Sequence, residues 1–204
     1  MARLLLIRHA RSTWNAEGRW QGWADAPLSP SGGRQAEALA AMLSRAGARF
    51  AGVVSSDLAR SADTARIVAG ALGLGEVAVE PDLRERDVGD WSGRTTEEIE
   101  LIWPGAIDAW RSGRLDRPPG GEFEPAFRGR VVSAVERLAA RPDGPLLVVT
   151  HGGVIRAVER HLGGDPRSTA NLSGRWVEAD GGVLRAGEVV SLPVDEEETI
   201  TTAL

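Results

Sequence analysis

The chain contains no cysteine, no tyrosine and no lysine; all 24 of its basic residues are arginine. Without cysteine there is no disulfide framework and no thiolate metal site, and the redox compartment stays open. Without lysine there is neither a Schiff-base amine nor the lysine of a P-loop. Positive charge is in deficit too, since the net charge of −5 argues against general affinity for nucleic acid or an anionic membrane. Any phosphate binding must therefore be local. Long apolar runs are also missing. Leu4 to Ile7 gives only four apolar residues before Arg8, too short for a signal-peptide core, and nothing approaches membrane-spanning length. A soluble cytoplasmic protein without a nucleic-acid or membrane partner is the expectation.

Histidine is scarce as well, with three residues, but two of them are conspicuously placed. The apolar run Leu4 to Ile7 leads into Arg8-His9, and Leu146 to Val149 leads through Thr150 into His151-Gly152-Gly153. A buried parallel strand delivers its last residue to the carboxyl edge of a sheet, where open α/β folds place ligands. His9 and His151 should therefore face one site. His161, ahead of Gly163-Gly164, reads as a helix C-terminal residue.

Along the chain, a Trp-rich loop from Trp14 to Trp23 precedes Pro27-Leu28-Ser29-Pro30 and a helix with Ala36, Leu39, Ala40 and Leu43 on its apolar face. Phe50 to Ser55 reads as a strand, and Ser56 or Asp57 is positioned to cap a second helix carrying Leu58, Ala62, Ala65, Ala69 and Leu72. Val77 to Val79 is a candidate third strand. From Arg86 to Gly121 periodicity fades into tryptophans, glycines and a Pro-Pro-Gly-Gly turn, an excursion from the sheet. A helix with Phe127, Val131, Ala134, Val135 and Leu138 follows, then the His151 strand and a helix with Ile155, Val158 and Leu162. Arg175 to Pro193 suggests a hairpin turning at Asp180-Gly181-Gly182, and Asp195 to Glu198 a solvated acidic end. With 204 residues, 42% of them hydrophobic, one domain over residues 1–204 suffices.

Arg60 falls in the first turn of the second helix, where side chains lean back toward the helix start and so over the same sheet edge. Arg8, Arg60, His9, His151 and the amides of Gly152 and Gly153 together make an anion pocket suited to a phosphoryl group. The competing reading of Glu85, among Asp82, Arg84, Arg86 and Asp87, is a solvated charge run. Trp14, Trp20 and Trp23 read as packing beneath the loop. No spacing resembles a zinc site.

These residues resemble the histidine phosphatase, or phosphoglycerate mutase-like, superfamily. The resemblance is carried by Arg8-His9-Ala10, Asn15, Arg19, Gln21-Gly22, Asp25, the block Ser55 to Ala65, Leu83-Arg84-Glu85, Gly89 to Gly93, Pro119-Gly120-Gly121-Glu122 and Thr150 to Gly153, in order over about residues 3–160. It implies transfer through a phosphohistidine on His9, with Arg8, Arg60 and His151 clamping phosphate and Glu85 as proton donor and acceptor. Asn15, Gln21, Gly22 and Gly152 would contact the substrate. No metal or cofactor is implied. Combined with the strand-helix alternation, it predicts an α/β fold: a three-layer α/β/α sandwich around a mostly parallel sheet, with a lid at about 86–121 and a C-terminal hairpin.

Two departures are small: Ala10 stands where glycine is usual, and Phe123 where serine is common. Others bear on activity. Mutases of that family carry a tyrosine three positions after the acid glutamate and a lysine further on, where this chain has Val88 and Thr96, and an asparagine where it has Gly153. Hydrolysis of a small organic phosphate is accordingly the expected reaction, with phosphoglycerate mutation the alternative and a non-catalytic phosphate-binding module a third. Sugar phosphates, phosphoglycerate derivatives and nucleoside-type phosphates all fit; a phosphorylated protein is obstructed by the lid. The oligomeric state is left open, a homodimer included.

Overall fold

The computed structural model describes residues 2–141, 144–165 and 169–191. Its centre is a six-stranded sheet built from β1 (Ala2–Arg8), β2 (Gly52–Ser55), β3 (Ala78–Val79), β4 (Leu146–Thr150), β5 (Gly174–Asp180) and β6 (Val183–Val190), in spatial order β3-β2-β4-β1-β5-β6. The first four strands in that order run parallel; β5 and β6 are antiparallel additions.

The central strands β1, β2 and β4 are apolar at nearly every position because both faces are covered, whereas β5 and β6 at the edge carry polar residues and are partly exposed. On one face Leu4, Leu6, Val54, Leu146 and Val148 pack under α6 (Glu124–Ala139) and α7 (Gly152–His161). On the other, Leu5, Ile7, Val53, Leu147 and Val149 meet α2 (Pro30–Arg45) and α3 (Ala59–Leu72). The result is the three-layer sandwich that the alternation predicted. Helix α2 buries Ala36, Leu39, Ala40 and Leu43, the face read from spacing, and Ser29 caps it by accepting from Gly32 N at 3.0 Å. The hairpin turns at Gly181 and Gly182, with φ of 56° and 83°, the positive pair a two-residue turn needs. The expected acidic end at Asp195 to Glu198 lies outside the described residues, as does Pro193.

Two readings are corrected. Neither Ser56 nor Asp57 caps α3: the cap position is Leu58, whose side chain cannot accept, and Asp25 Oδ1 instead accepts from Ala59 N at 2.6 Å. A carboxylate from a distant loop replaces the local cap, freeing Ser56 and Asp57 for other partners. The 86–121 excursion, without visible periodicity, contains a single 3-10 turn at Gly89–Trp91, the short helices α4 (Thr96–Ile102) and α5 (Ala106–Arg111), and its own apolar cluster of Trp20, Val88, Trp91, Ile99 and Ile107. Trp91 is edge-on to both Trp20 and Trp110, at 5.3 and 5.7 Å between ring centres, which ties the Trp-rich loop to the excursion. The remaining short helix, α1 (Thr13–Ala16), opens that loop.

Candidate active site

The register of the sheet brings the two histidines together. Arg8 pairs with Thr150 at the shared carboxyl ends of β1 and β4, and His9 N donates to Thr150 O at 2.8 Å. The next residue of each strand is then a histidine, and the two rings sit 5.2 Å apart, edge to face.

Each ring is held by a specific partner. His9 Nδ1 lies 2.7 Å from the Ala10 carbonyl, which only accepts, so Nδ1 carries the proton and Nε2 the lone pair. His151 Nε2 meets Ser56 Oγ at 2.7 Å. Burial, reinforced by the Arg60 and Arg8 charges, holds the His9 pKa well below 6.5; burial, Arg60, His9 and Arg8 do the same to His151. Both rings are neutral near pH 7.

Around them stand guanidiniums already anchored by backbone. Arg60, 1% exposed, donates from Nη1 to Ala24 O and from Nη2 to Gly22 O, both at 2.8 Å. Arg8 donates from Nη1 to Thr169 O at 2.6 Å. Burial first, modulated by neighbouring charges, lowers each to about 10, so both stay charged at neutral pH. Among the described residues, four buried side-chain nitrogens have no hydrogen-bond partner. One, Trp91 Nε1, belongs to the aromatic cluster; the others, Arg8 Nε, Arg60 Nε and His151 Nδ1, are all at this site. Natural proteins rarely leave such atoms unpaired, and a cluster of them marks where a polar ligand completes the bonding.

Glu85 sits opposite. Its Oε2 accepts from Gly153 N at 3.0 Å and its Oε1 from Arg86 N at 2.8 Å. The segment that carries it is fixed by Arg130, unnoticed in the sequence reading. Arg130 donates from Nη1 to Asp82 O and Arg84 O, from Nη2 to Glu85 O, and pairs with Glu122 through Nε and Nη2. A half-legible signal existed: Glu122 closes the Pro-Gly-Gly-Glu motif.

The cavity, about 820 Å³, is lined by Arg8, His9, Asn15, Gln21, Gly22, Arg60 and Glu85, with Arg86, Trp110, Gly153 and Arg156 among the rest. His151 and Gly152 do not line it. Asn15, a lining residue, accepts at Oδ1 from Ser12 N and Ser12 Oγ in a capping box. Gln21 Oε1 accepts from Ser12 Oγ at 2.8 Å. Gly22, at φ 51°, has no room for a side chain, since a Cβ would lie 2.8 Å from Val88, and its carbonyl positions Arg60. The described residues contain no group of three or more His, Cys, Asp or Glu side chains placed to hold a metal, and no helix long and apolar enough to cross a membrane.

An open α/β sheet with an imidazole lone pair, fixed guanidiniums and a carboxylate at its carboxyl edge defines an anion site of the phosphoryl-transfer type. The sequence model of the histidine phosphatase superfamily (branch 1) matches residues 4–179. The chain belongs to that superfamily. It is 40% identical over 158 residues to a metal-independent phosphoserine phosphatase of Arabidopsis thaliana, covering 76% of this chain and 66% of that relative, just under two thirds of its length. It is 36% identical over 169 residues to a 2,3-bisphosphoglycerate-dependent phosphoglycerate mutase of Methylobacterium radiotolerans, covering 79% of each. A mycobacterial glucosyl-3-phosphoglycerate phosphatase solved in complex with VO3 superposes with a TM-score of 0.77 at 33% identity, covering 92% of this chain and 96% of that one.

Proposed function

We propose that this chain is a metal-independent phosphomonoesterase acting on a small organic phosphate. The observation that carries it is the fixed tautomer of His9, which leaves the lone pair on Nε2 of a residue that lines the cavity together with Arg8 and Arg60, whose buried Nε atoms have no partner. Nε2 attacks phosphorus and the ester P–O bond breaks, while Glu85 passes a proton to the departing alkoxide. Water then attacks the phosphohistidine, Glu85 takes a proton from it, the P–N bond breaks, and Nε2 regains its lone pair. Charge spreading over the phosphoryl oxygens meets Arg8 Nε and Arg60 Nε, and Ser56 donating to His151 Nε2 leaves a proton on Nδ1 as a further donor.

Hydrolysis rather than mutation is favoured by Val88 and Thr96. Val88 is buried in the aromatic cluster, and Thr96 Oγ1 accepts from Trp20 Nε1, so neither presents the phenol or ammonium that the mutases described above carry at these positions. The 86–121 excursion acts as a lid over the cavity. The substrate is a free metabolite in the cytoplasm, not a nucleic acid or a membrane lipid.

The test is covalent trapping with a metal-free aryl phosphate assay. Wild-type protein should yield an acid-labile, base-stable phosphoenzyme that His9→Ala cannot form. Glu85→Gln should slow alkyl phosphates far more than activated aryl phosphates. Full turnover by His9→Ala would overturn the mechanism, and accumulation of 3-phosphoglycerate without free phosphate from 2-phosphoglycerate plus bisphosphate primer would replace phosphatase with mutase.

A further inference from the structure

The His9 tautomer depends on one backbone carbonyl, and side chains outside the cavity hold the stretch of chain on which that carbonyl sits. Two peptide units follow His9, one joining it to Ala10 and the next joining Ala10 to Arg11, and each offers one acceptor and one donor. In the first, Asn171 Nδ2 donates to His9 O at 2.8 Å, and Ala10 N donates to Thr64 Oγ1 at 3.0 Å. In the second, Ala10 O accepts from His9 Nδ1 at 2.7 Å, and Arg11 N donates to Gln35 Oε1 at 3.1 Å. Gln35, Thr64 and Asn171 come from α2, α3 and the segment ahead of β5, and none of them lines the cavity.

The segment that supplies Asn171 is built around the end of β1. Leu172 N donates to Arg8 O and Arg8 N to Ser173 O, both at 3.0 Å, and Thr169 O accepts from Arg8 Nη1. To make these bonds Leu172, 1% exposed, takes a φ of 57°, the one positive φ outside glycine among the described residues. A bulky residue keeps that conformation only where its surroundings over-determine it, and Leu172 shares its core cluster with Ile7 and Ala10. The strained residue thus bonds the strand end that delivers His9. Thr64 has a second bond as well, donating from Oγ1 to Arg60 O at 2.7 Å.

We propose that Gln35, Thr64 and Asn171 are positioning residues that fix the tautomer of His9 by pinning the two peptide units after it. The bearing on catalysis rests on the phosphatase reading; the pinning itself does not. A peptide unit bonded at both its polar atoms cannot turn without breaking a bond, and a buried group left unpaired is costly. Where a pin is lost, the Ala10 carbonyl is free to turn from His9 Nδ1, and the ring proton redistributes to Nε2, which removes the lone pair that attacks phosphorus. The guanidinium groups of Arg8 and Arg60 are anchored through other carbonyls, so phosphoryl binding is kept.

The experiment reads the tautomer directly, from nitrogen-15 spectra of the histidine rings near neutral pH, with His9→Ala identifying the signals of His9. Wild-type protein should show the Nδ1–H form alone. Gln35→Met, Thr64→Val and Asn171→Leu should each populate the Nε2–H form and lower kcat on an aryl phosphate by about 10-fold, with KM changed by no more than about twofold. Gln35→Glu and Thr64→Ser keep an acceptor and should restore the Nδ1–H form and most of kcat. Thr64 and Asn171 hold opposite ends of one peptide, so the double variant should lose less than the product of the two single losses. Gln35 and Asn171 are only half-buried, and their variants carry the test if Thr64→Val does not fold. An unchanged Nδ1–H form in all three variants, whether or not kcat falls, would overturn the pinning and leave the phosphatase reading intact. A wild type inert toward the aryl phosphate, with a tautomer that the variants still release, would remove the phosphatase reading and leave the pinning.

Discussion

The Glu85 carboxylate occupies the space that a side chain at position 153 would fill: a Cβ on Gly153 would lie 1.9 Å from Glu85 Oε1. The glycine therefore does two things, offering its N–H to Oε2 at the start of α7 and leaving room for the carboxylate to dock. Gly153→Ala should push Glu85 out of place. Turnover of alkyl phosphates should fall by about 10- to 100-fold, the scale of a lost proton donor, and turnover of activated aryl phosphates much less. Steady-state kinetics with both substrate types reads the difference; an equal loss for the two would mean that the glycine serves the phosphoryl site instead.

Arg130 and Glu122 are the scaffold of that carboxylate. Their side chains are only 16% and 15% exposed and joined by two short bonds, while Arg130 also satisfies the carbonyls of Asp82, Arg84 and Glu85. Arg130→Met leaves Glu122 charged and three carbonyls unpaired, and should cost about 3 kcal/mol in urea denaturation, the low end for breaking a buried pair. Glu122→Gln keeps hydrogen bonding and should cost less. In both, any remaining folded enzyme should show the alkyl-over-aryl defect expected of a displaced Glu85.

What could be read from sequence, and what could not, follows from the range of the interactions. His9 and His151 were legible because each ends an apolar strand, and β1 and β4 are neighbours in register. Arg60 was legible because a first-turn side chain leans in a fixed direction. The group orienting His9 was not, since the Ala10 carbonyl is backbone and carries no sequence signal. Asp25 capping α3 and Arg130 holding the Glu85 segment were hidden too, each being a bond across tens of residues. Helix α4 is only 7 residues long, too short for periodicity to declare, although Thr95 and Glu98 spell its capping box.

Arg60 should be irreplaceable by another cation. Its fork uses two nitrogens on the Ala24 and Gly22 carbonyls and leaves Nε without a partner, the donor that the proposed mechanism gives to the phosphoryl group. A lysine ammonium cannot span both carbonyls and still reach the phosphoryl group. Arg60→Lys should therefore lower kcat by about 100-fold or more, as loss of a fixed transition-state donor does. Raised KM for inorganic phosphate analogues should accompany it; near-normal kcat would move the clamp elsewhere.

Acid should weaken both activity and stability through the same two rings. Because the folded protein holds His9 and His151 below the ordinary 6.5, the unfolded chain binds protons first as pH falls. The stability of the neutral buried rings is complete above about pH 6.5 and is lost as pH drops toward their lowered values, by at most about 1.4 kcal/mol per pH unit per ring. Urea midpoints should fall between about pH 7.5 and about pH 5.5, and His151→Asn should show a shallower decline because one titrating ring is gone. The acid limb of kcat/KM on an aryl phosphate should likewise lie below 6.5, since Nε2 of His9 keeps its lone pair until it protonates in place. An acid limb at or above the ordinary imidazole value would mean that the nucleophile titrates as a solvated histidine, in conflict with its burial and with the fixed bond to Ala10.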